Sequence, residues 1–233
     1  MTADPILADP RLYVALDVPN IESAQAMVEA LGDAVVSYKI GLQLLPVGGT
    51  EFARELVRAG KNVFLDYKLH DIGATVEKAI RSIRAVGAEL LTVHATPDVM
   101  AAAVRGRGDS ALKIMAVTVL TSLDDGALHD MGYFMSVEEL VMHRVRQGVA
   151  AGVNGVISSP LEAAKIRAIV PKDFLIVTPG VRMKGGDKGD QKRIASPRDA
   201  LANGASHIVV GRPITQADNP RKAALEILKN INA

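Results

Sequence analysis

Short runs rich in Val, Ile and Leu punctuate the chain at 12–17, 35–40, 63–66, 90–94, 113–118, 155–158, 175–178 and 207–210. The longer segments between them place apolar residues at helical spacing, as at Ile21, Ala24, Met27, Val28 and Leu31. The runs recur roughly every 20 to 35 residues, the period expected of repeated βα units around a parallel sheet. Eight strands, each followed by a helix, is the number that closes a (β/α)8 TIM barrel. An open, doubly wound sheet usually carries a Gly-rich turn after its first strand. Here that turn reads Asp17, Val18, Pro19, Asn20, which disfavours such a fold.

Local signals support the helices. Asn20 is placed to cap the first, Ser136 and Glu139 form a capping-box pattern, and Ser196 followed by Pro197 starts another. Two connections are long enough to suspect function, 120–135 and 179–195; the second, with four glycines and many charges, reads as a mobile lid.

Composition narrows the classes. At 233 residues the chain suits one α/β barrel spanning 1–233 as a single domain. With 48% hydrophobic residues, no Trp and four each of Tyr and Phe, the core must be aliphatic. A net charge of +1 offers no broad field for nucleic acid or an anionic membrane, so neither is expected as a partner, and an anionic ligand must be held locally. The absence of Cys excludes disulfides, thiolate zinc sites and a cysteine nucleophile. No secretory pattern opens the chain and no stretch of about 18 apolar residues occurs, so a cytoplasmic protein is expected.

A barrel builds its active site at the C-terminal ends of its strands. Asp17 ends the first run, Lys39 lies in the end of the second, Asp66 and Lys68 close the third, and Thr121 follows the fifth. Two residues apart on an extended segment, Asp66 and Lys68 should share one face at the barrel mouth. Asp71 comes at the turn into the next helix, with Thr75 four residues later on the same helical face. Taken singly, Asp71 fits a helix N-cap and the Asp-x-Lys pair a structural ion pair. Together, Lys39, Asp66 and Lys68 converge where unpaired charge would cost several kcal/mol without a ligand-related purpose. After the seventh run come Gly180 and Arg182, and after the eighth Gly211 and Arg212, in the two loops where such barrels bind phosphate. His94 closes a strand but has no second His or carboxylate at ligand spacing, and a hydrogen-bonded structural role suits it better.

The stretch 64–75, Phe-Leu-Asp-Tyr-Lys-Leu-His-Asp-Ile-Gly-Ala-Thr, matches the Asp-x-Lys-x-x-Asp-Ile-x-x-Thr signature of the orotidine 5'-phosphate decarboxylase family, which the chain resembles over nearly its whole length. The segments 15–17, 119–122, 178–182 and 210–212, with Lys39 and Gln191, fall in the same order. The resemblance implies a cofactor-free, metal-free decarboxylase of a pyrimidine nucleotide, in which Lys68 donates a proton within a network of Lys39, Asp66, Lys68 and Asp71. It implies a homodimer with shared sites, each chain giving Asp71, Ile72 and Thr75 to its partner. Asp17, Lys39 and Thr75 would then hold the ribose, Ser122 and Gln191 the pyrimidine, and Arg182 and Arg212 the phosphate, with Gln191 also reaching phosphate. The segment Gly132, Tyr133, Phe134 belongs to no recognised motif. A metal-dependent sugar-phosphate decarboxylase on a related barrel is the nearest rival; it would carry a carboxylate where Lys39 stands. A catalytically silent phosphosugar-binding barrel is the rival of another class.

Overall fold

The computed structural model describes residues 8–183 and 195–232. Eight parallel strands form a closed barrel in sequence order: β1 (Leu12–Ala15), β2 (Ser37–Gly41), β3 (Asn62–Leu69), β4 (Leu90–His94), β5 (Lys113–Val117), β6 (Gly155–Ile157), β7 (Leu175–Thr178) and β8 (His207–Val210). The circle closes where Tyr13 of β1 lies opposite Val209 of β8. The helices are α1 (Ile21–Leu31), α2 (Gly49–Arg58), α3 (Gly73–Ile83), α4 (Pro97–Arg107), α5 (Asp125–Asp130), α6 (Val137–Ala151), α7 (Ala163–Arg167), α8 (Pro197–Ala202), α9 (Arg212–Thr215) and α10 (Pro220–Ile231).

Strand alternation divides the apolar residues between two cores. Leu12, Val14 and Leu16 point outward and join the cluster between sheet and helices. Tyr13 and Ala15 point inward and pack with Phe64, Leu90, Met115, Val177 and Val209 inside the barrel. The barrel is therefore a filled core, closed at its floor by a polar knot: the Tyr13 hydroxyl donates to Glu89 (2.7 Å), which also pairs with Lys113 (2.9 Å).

The expected caps form. Asn20 accepts from the Ser23 N–H at 2.9 Å, Ser136 and Glu139 complete a reciprocal box, and Ser196 caps α8. The connection 120–135 is not loop throughout, because α5 occupies its middle, with Asp124 as its N-cap. No described helix is long and apolar enough to cross a membrane.

Three boundaries differ from the sequence reading in ways that matter to the site. Strand β1 stops at Ala15, leaving Asp17 beyond it. Strand β2 continues to Gly41, placing Lys39 in mid-strand. Strand β3 runs on to Leu69 rather than stopping at Asp66, but its register against β4 slips: Leu65 lies opposite Leu91, and Leu69 opposite Val93. Three residues of β3 thus face the single residue Thr92, a bulge of the kind that re-aims side chains at barrel rims.

Candidate active site

The C-terminal strand ends and the loops beyond them enclose a cavity of about 590 Å³, a size suited to a small-molecule ligand. Asp17, Lys39, Asp66, Lys68, Thr121, Ser122, Gly180, Arg182, Gly211 and Arg212 all line it, although they come from six separate segments of the chain.

A chain of alternating charges crosses the cavity. The Lys39 ammonium lies 3.0 Å from Asp17 and 3.4 Å from Asp66, and the same Asp66 oxygen receives the Lys68 ammonium at 2.8 Å. Burial alone would lower the pKa of Lys39, but Asp66 and Asp17 outweigh it and hold the pKa above its usual value. Burial likewise pushes Asp66 up, and the two lysines, with a hydrogen bond from Thr92, more than reverse this. Each buried charge therefore persists because its neighbours compensate the loss of water.

The geometry that joins Asp66 to Lys68 is not the extended alternation expected. Lys68 has φ +47°, the only positive φ at a non-glycine residue among those described. A left-handed lysine costs about 1–2 kcal/mol, and strain of this kind persists where the surroundings over-determine it. Here the Lys68 N–H donates to the Thr92 hydroxyl at 2.9 Å, and that hydroxyl donates to Asp66 at 3.0 Å.

Asp71 departs from both of its local readings. It is not a helix cap: Ile72 holds the N-cap position of α3, and Asp71 accepts from the Ile72 N–H at 2.6 Å. Because α3 begins at Gly73, Asp71 and Thr75 do not share a helical face either. Among the described residues Asp71 forms no ion pair with the Lys39, Asp66 and Lys68 chain of its own protomer; Asp17 takes the fourth place. Asp71, Ile72 and Thr75 are all exposed, Ile72 to 76%, and none lines the cavity.

At the opposite side Arg182 is buried and donates to the Val181 carbonyl at 2.8 Å, while Gly180 adopts φ +77°, a turn conformation natural to glycine. Gly211 precedes the one-turn helix α9, which begins at Arg212. Val181 and Ala195 form an isolated parallel bridge, so the two ends of the connection 179–195 meet. Gln191 and most of the lid segment lie outside the described residues.

Sequence reasoning missed Thr92, Gly41 and the cavity-lining Gln43, Thr215 and Gln216. Thr92 left a trace as the polar centre of a strand otherwise apolar up to its closing His94, and Gly41 as the residue two beyond Lys39 on the same face. His94 has no second His or carboxylate at ligand spacing along the sequence, but the fold brings the His70 ring to 5.0 Å from it. Burial, with His70, Arg144 and Lys68 nearby, lowers the His94 pKa. No group of three or more His, Cys, Asp or Glu among the described residues is placed to hold a metal ion. The connection 120–135 is tied down by Arg144, which donates to the Thr118 carbonyl and to the Tyr133 hydroxyl, while Phe134 is 95% exposed.

Residues 10–227 match the family model described as Orotidine 5'-phosphate decarboxylase / HUMPS family. The chain belongs to this family. It is 58% identical over 221 residues to an orotidine 5'-phosphate decarboxylase of Caulobacter sp. (strain K31), covering 95% of this chain and 96% of that one. A second relative of that name, from Rhodopseudomonas palustris (strain BisB5), is 55% identical, with 98% and 97% covered. Among solved structures, orotidine 5'-phosphate decarboxylase from Lactobacillus acidophilus superposes with a TM-score of 0.84 at 35% identity, covering 97% of this chain and all of that one.

Proposed function

We propose that this chain decarboxylates orotidine 5'-phosphate to uridine 5'-phosphate in pyrimidine biosynthesis, with Lys68 as proton donor and with sites shared across a homodimer. The observation that carries the reading is the Asp17, Lys39, Asp66, Lys68 chain, which sets an ammonium group in the cavity with a carboxylate 2.8 Å behind it.

The bond from C6 to the substrate carboxylate breaks with its electron pair left on C6, and CO2 departs. The pyrimidine ring delocalises that pair poorly, so the carbanion needs a positive charge beside it. The Lys68 ammonium supplies the charge, then gives a proton to C6, and the neutral amine recovers a proton from solvent. Asp66 orients Lys68 and places negative charge near the departing carboxylate. General acid catalysis contributes about 10² to 10⁴ of the 10⁶ to 10¹⁷ typical of enzymes. The larger share comes from preorganised charge and from phosphate binding energy, which Arg182, Arg212 and the loops after β7 and β8 capture remote from the reacting carbon. Asp17 and Lys39 suit the ribose hydroxyls, with Thr75 of a second chain, and Thr121 and Ser122 the pyrimidine; Gln191 is assigned to base and phosphate.

The exposure of Asp71 and Ile72 beside the mouth, with Asp71 outside its own protomer's charge chain, supports their entering the partner's cavity. The deciding assay follows the absorbance loss of orotidine 5'-phosphate. Wild-type protein turns over with or without a chelator, and folded Lys68→Ala does not. Retention of more than a few per cent of activity in that variant removes Lys68 from the mechanism.

A further inference from the structure

The bulge in β3 and the ion pair beneath it meet at one atom. The Thr92 hydroxyl accepts the Lys68 N–H at 2.9 Å, so its own proton is directed to the Oδ1 atom of Asp66, 3.0 Å away. That bond orients the carboxylate and turns Oδ2 toward the ammonium groups of Lys68 at 2.8 Å and Lys39 at 3.4 Å. Thr92 is fully buried and does not line the cavity. One hydroxyl therefore holds both the left-handed backbone that aims Lys68 and the carboxylate that receives its side chain.

We infer that Thr92 is a positioning residue for decarboxylation, acting through Lys68 and Asp66 without touching substrate; the inference rests on the reading of Lys68 as proton donor. It sits on β4, opposite the three residues Asp66, Tyr67 and Lys68 that crowd into the bulge. Removing the hydroxyl leaves the Lys68 N–H without its acceptor and lets the Asp66 carboxylate rotate. The ammonium then loses its fixed place beside C6, while the ribose and phosphate contacts stay in register. The effect falls on kcat rather than on binding.

The test compares Thr92→Val, which keeps the shape and deletes the hydroxyl, with Thr92→Ser, which keeps the hydroxyl. Thr92→Ala removes the same group without adding a methyl, and stands in if valine perturbs the fold. Thermal melting checks each variant, and Lys68→Ala is run alongside. Thr92→Val is expected to lose roughly 10- to 100-fold in kcat, the scale of a lost hydrogen bond to a charged group. KM and the Kd of uridine 5'-phosphate should stay within about threefold, and Thr92→Ser should recover most of kcat. Full kcat in Thr92→Val or Thr92→Ala, kcat and affinity falling together, or no recovery in Thr92→Ser each overturns the inference. Activity in Lys68→Ala instead overturns the donor assignment, whatever the Thr92 variants do.

Discussion

Gly41 lies directly over Lys39: a Cβ built on Gly41 would stand 2.9 Å from the Lys39 ammonium and 3.0 Å from the Asp17 carboxylate. The obstructed atoms are the tips of side chains rather than backbone, so the barrel can absorb a methyl group, but the ion pair cannot stay where it is. Gly41→Ala is expected to fold with near wild-type stability and to lose about tenfold or more in kcat/KM, the scale of a displaced charged contact. Steady-state kinetics with a melting curve checks this. Unchanged kcat/KM would show that the Asp17 and Lys39 pair need not hold its observed position.

The proposed sharing of sites between subunits is testable by complementation. Lys68→Ala and Asp71→Ala homodimers should each be nearly inactive. Mixed under subunit exchange, half the dimers become hybrids with one intact site of two, so activity should climb to roughly one quarter of wild type per subunit. Mass spectrometry verifies exchange. Exchange without recovered activity places Asp71 within its own chain's chemistry.

Arg212 follows the eighth strand and lines the cavity far along the chain from the Lys68 region. Arg212→Ala should raise KM for orotidine 5'-phosphate by roughly 10- to 100-fold, the scale of a charge-assisted bond. It should leave trace activity on the unphosphorylated nucleoside nearly unchanged. Equal losses on both substrates would move the phosphate site elsewhere.

The barrel floor gives a pH prediction. Burial pulls the His207 pKa below its usual value against the raising influence of Glu89 and Asp9, and its buried Nδ1 has no hydrogen-bond partner among the described residues. Because the folded pKa is the lower one, the unfolded chain takes up a proton first. Stability is therefore complete above about pH 6.5 and falls as pH drops below that value. His94, also lowered, adds to the same slope. Melting temperature should fall between pH 7.5 and pH 5.5, and less steeply in His207→Gln than in wild type. Parallel slopes would exclude His207 as a source.

Eight strands, the α/β alternation and the caps at Asn20, Ser136 and Ser196 were legible in the sequence because each depends on neighbours within one turn or one strand. The same holds for the charged residues at strand ends, since a barrel of known polarity delivers strand ends to one mouth. Cross-strand register was not legible. Thr92 is 24 residues from Lys68 and 26 from Asp66, and only their pairing in space creates the bulge that turns Lys68 left-handed. Gly41 looks like any strand-end glycine until Lys39 and Asp17 are seen beneath it. Asp71 has a cap's composition, but α3 begins at Gly73 with Ile72 as its N-cap, which leaves Asp71 one residue before the capping position. Hydrophobic period and local hydrogen bonding are properties of the chain, so the sequence alone determined the barrel and which charges reach its mouth. The aim of those charges depends on contacts between strands, and only the tertiary structure decided it.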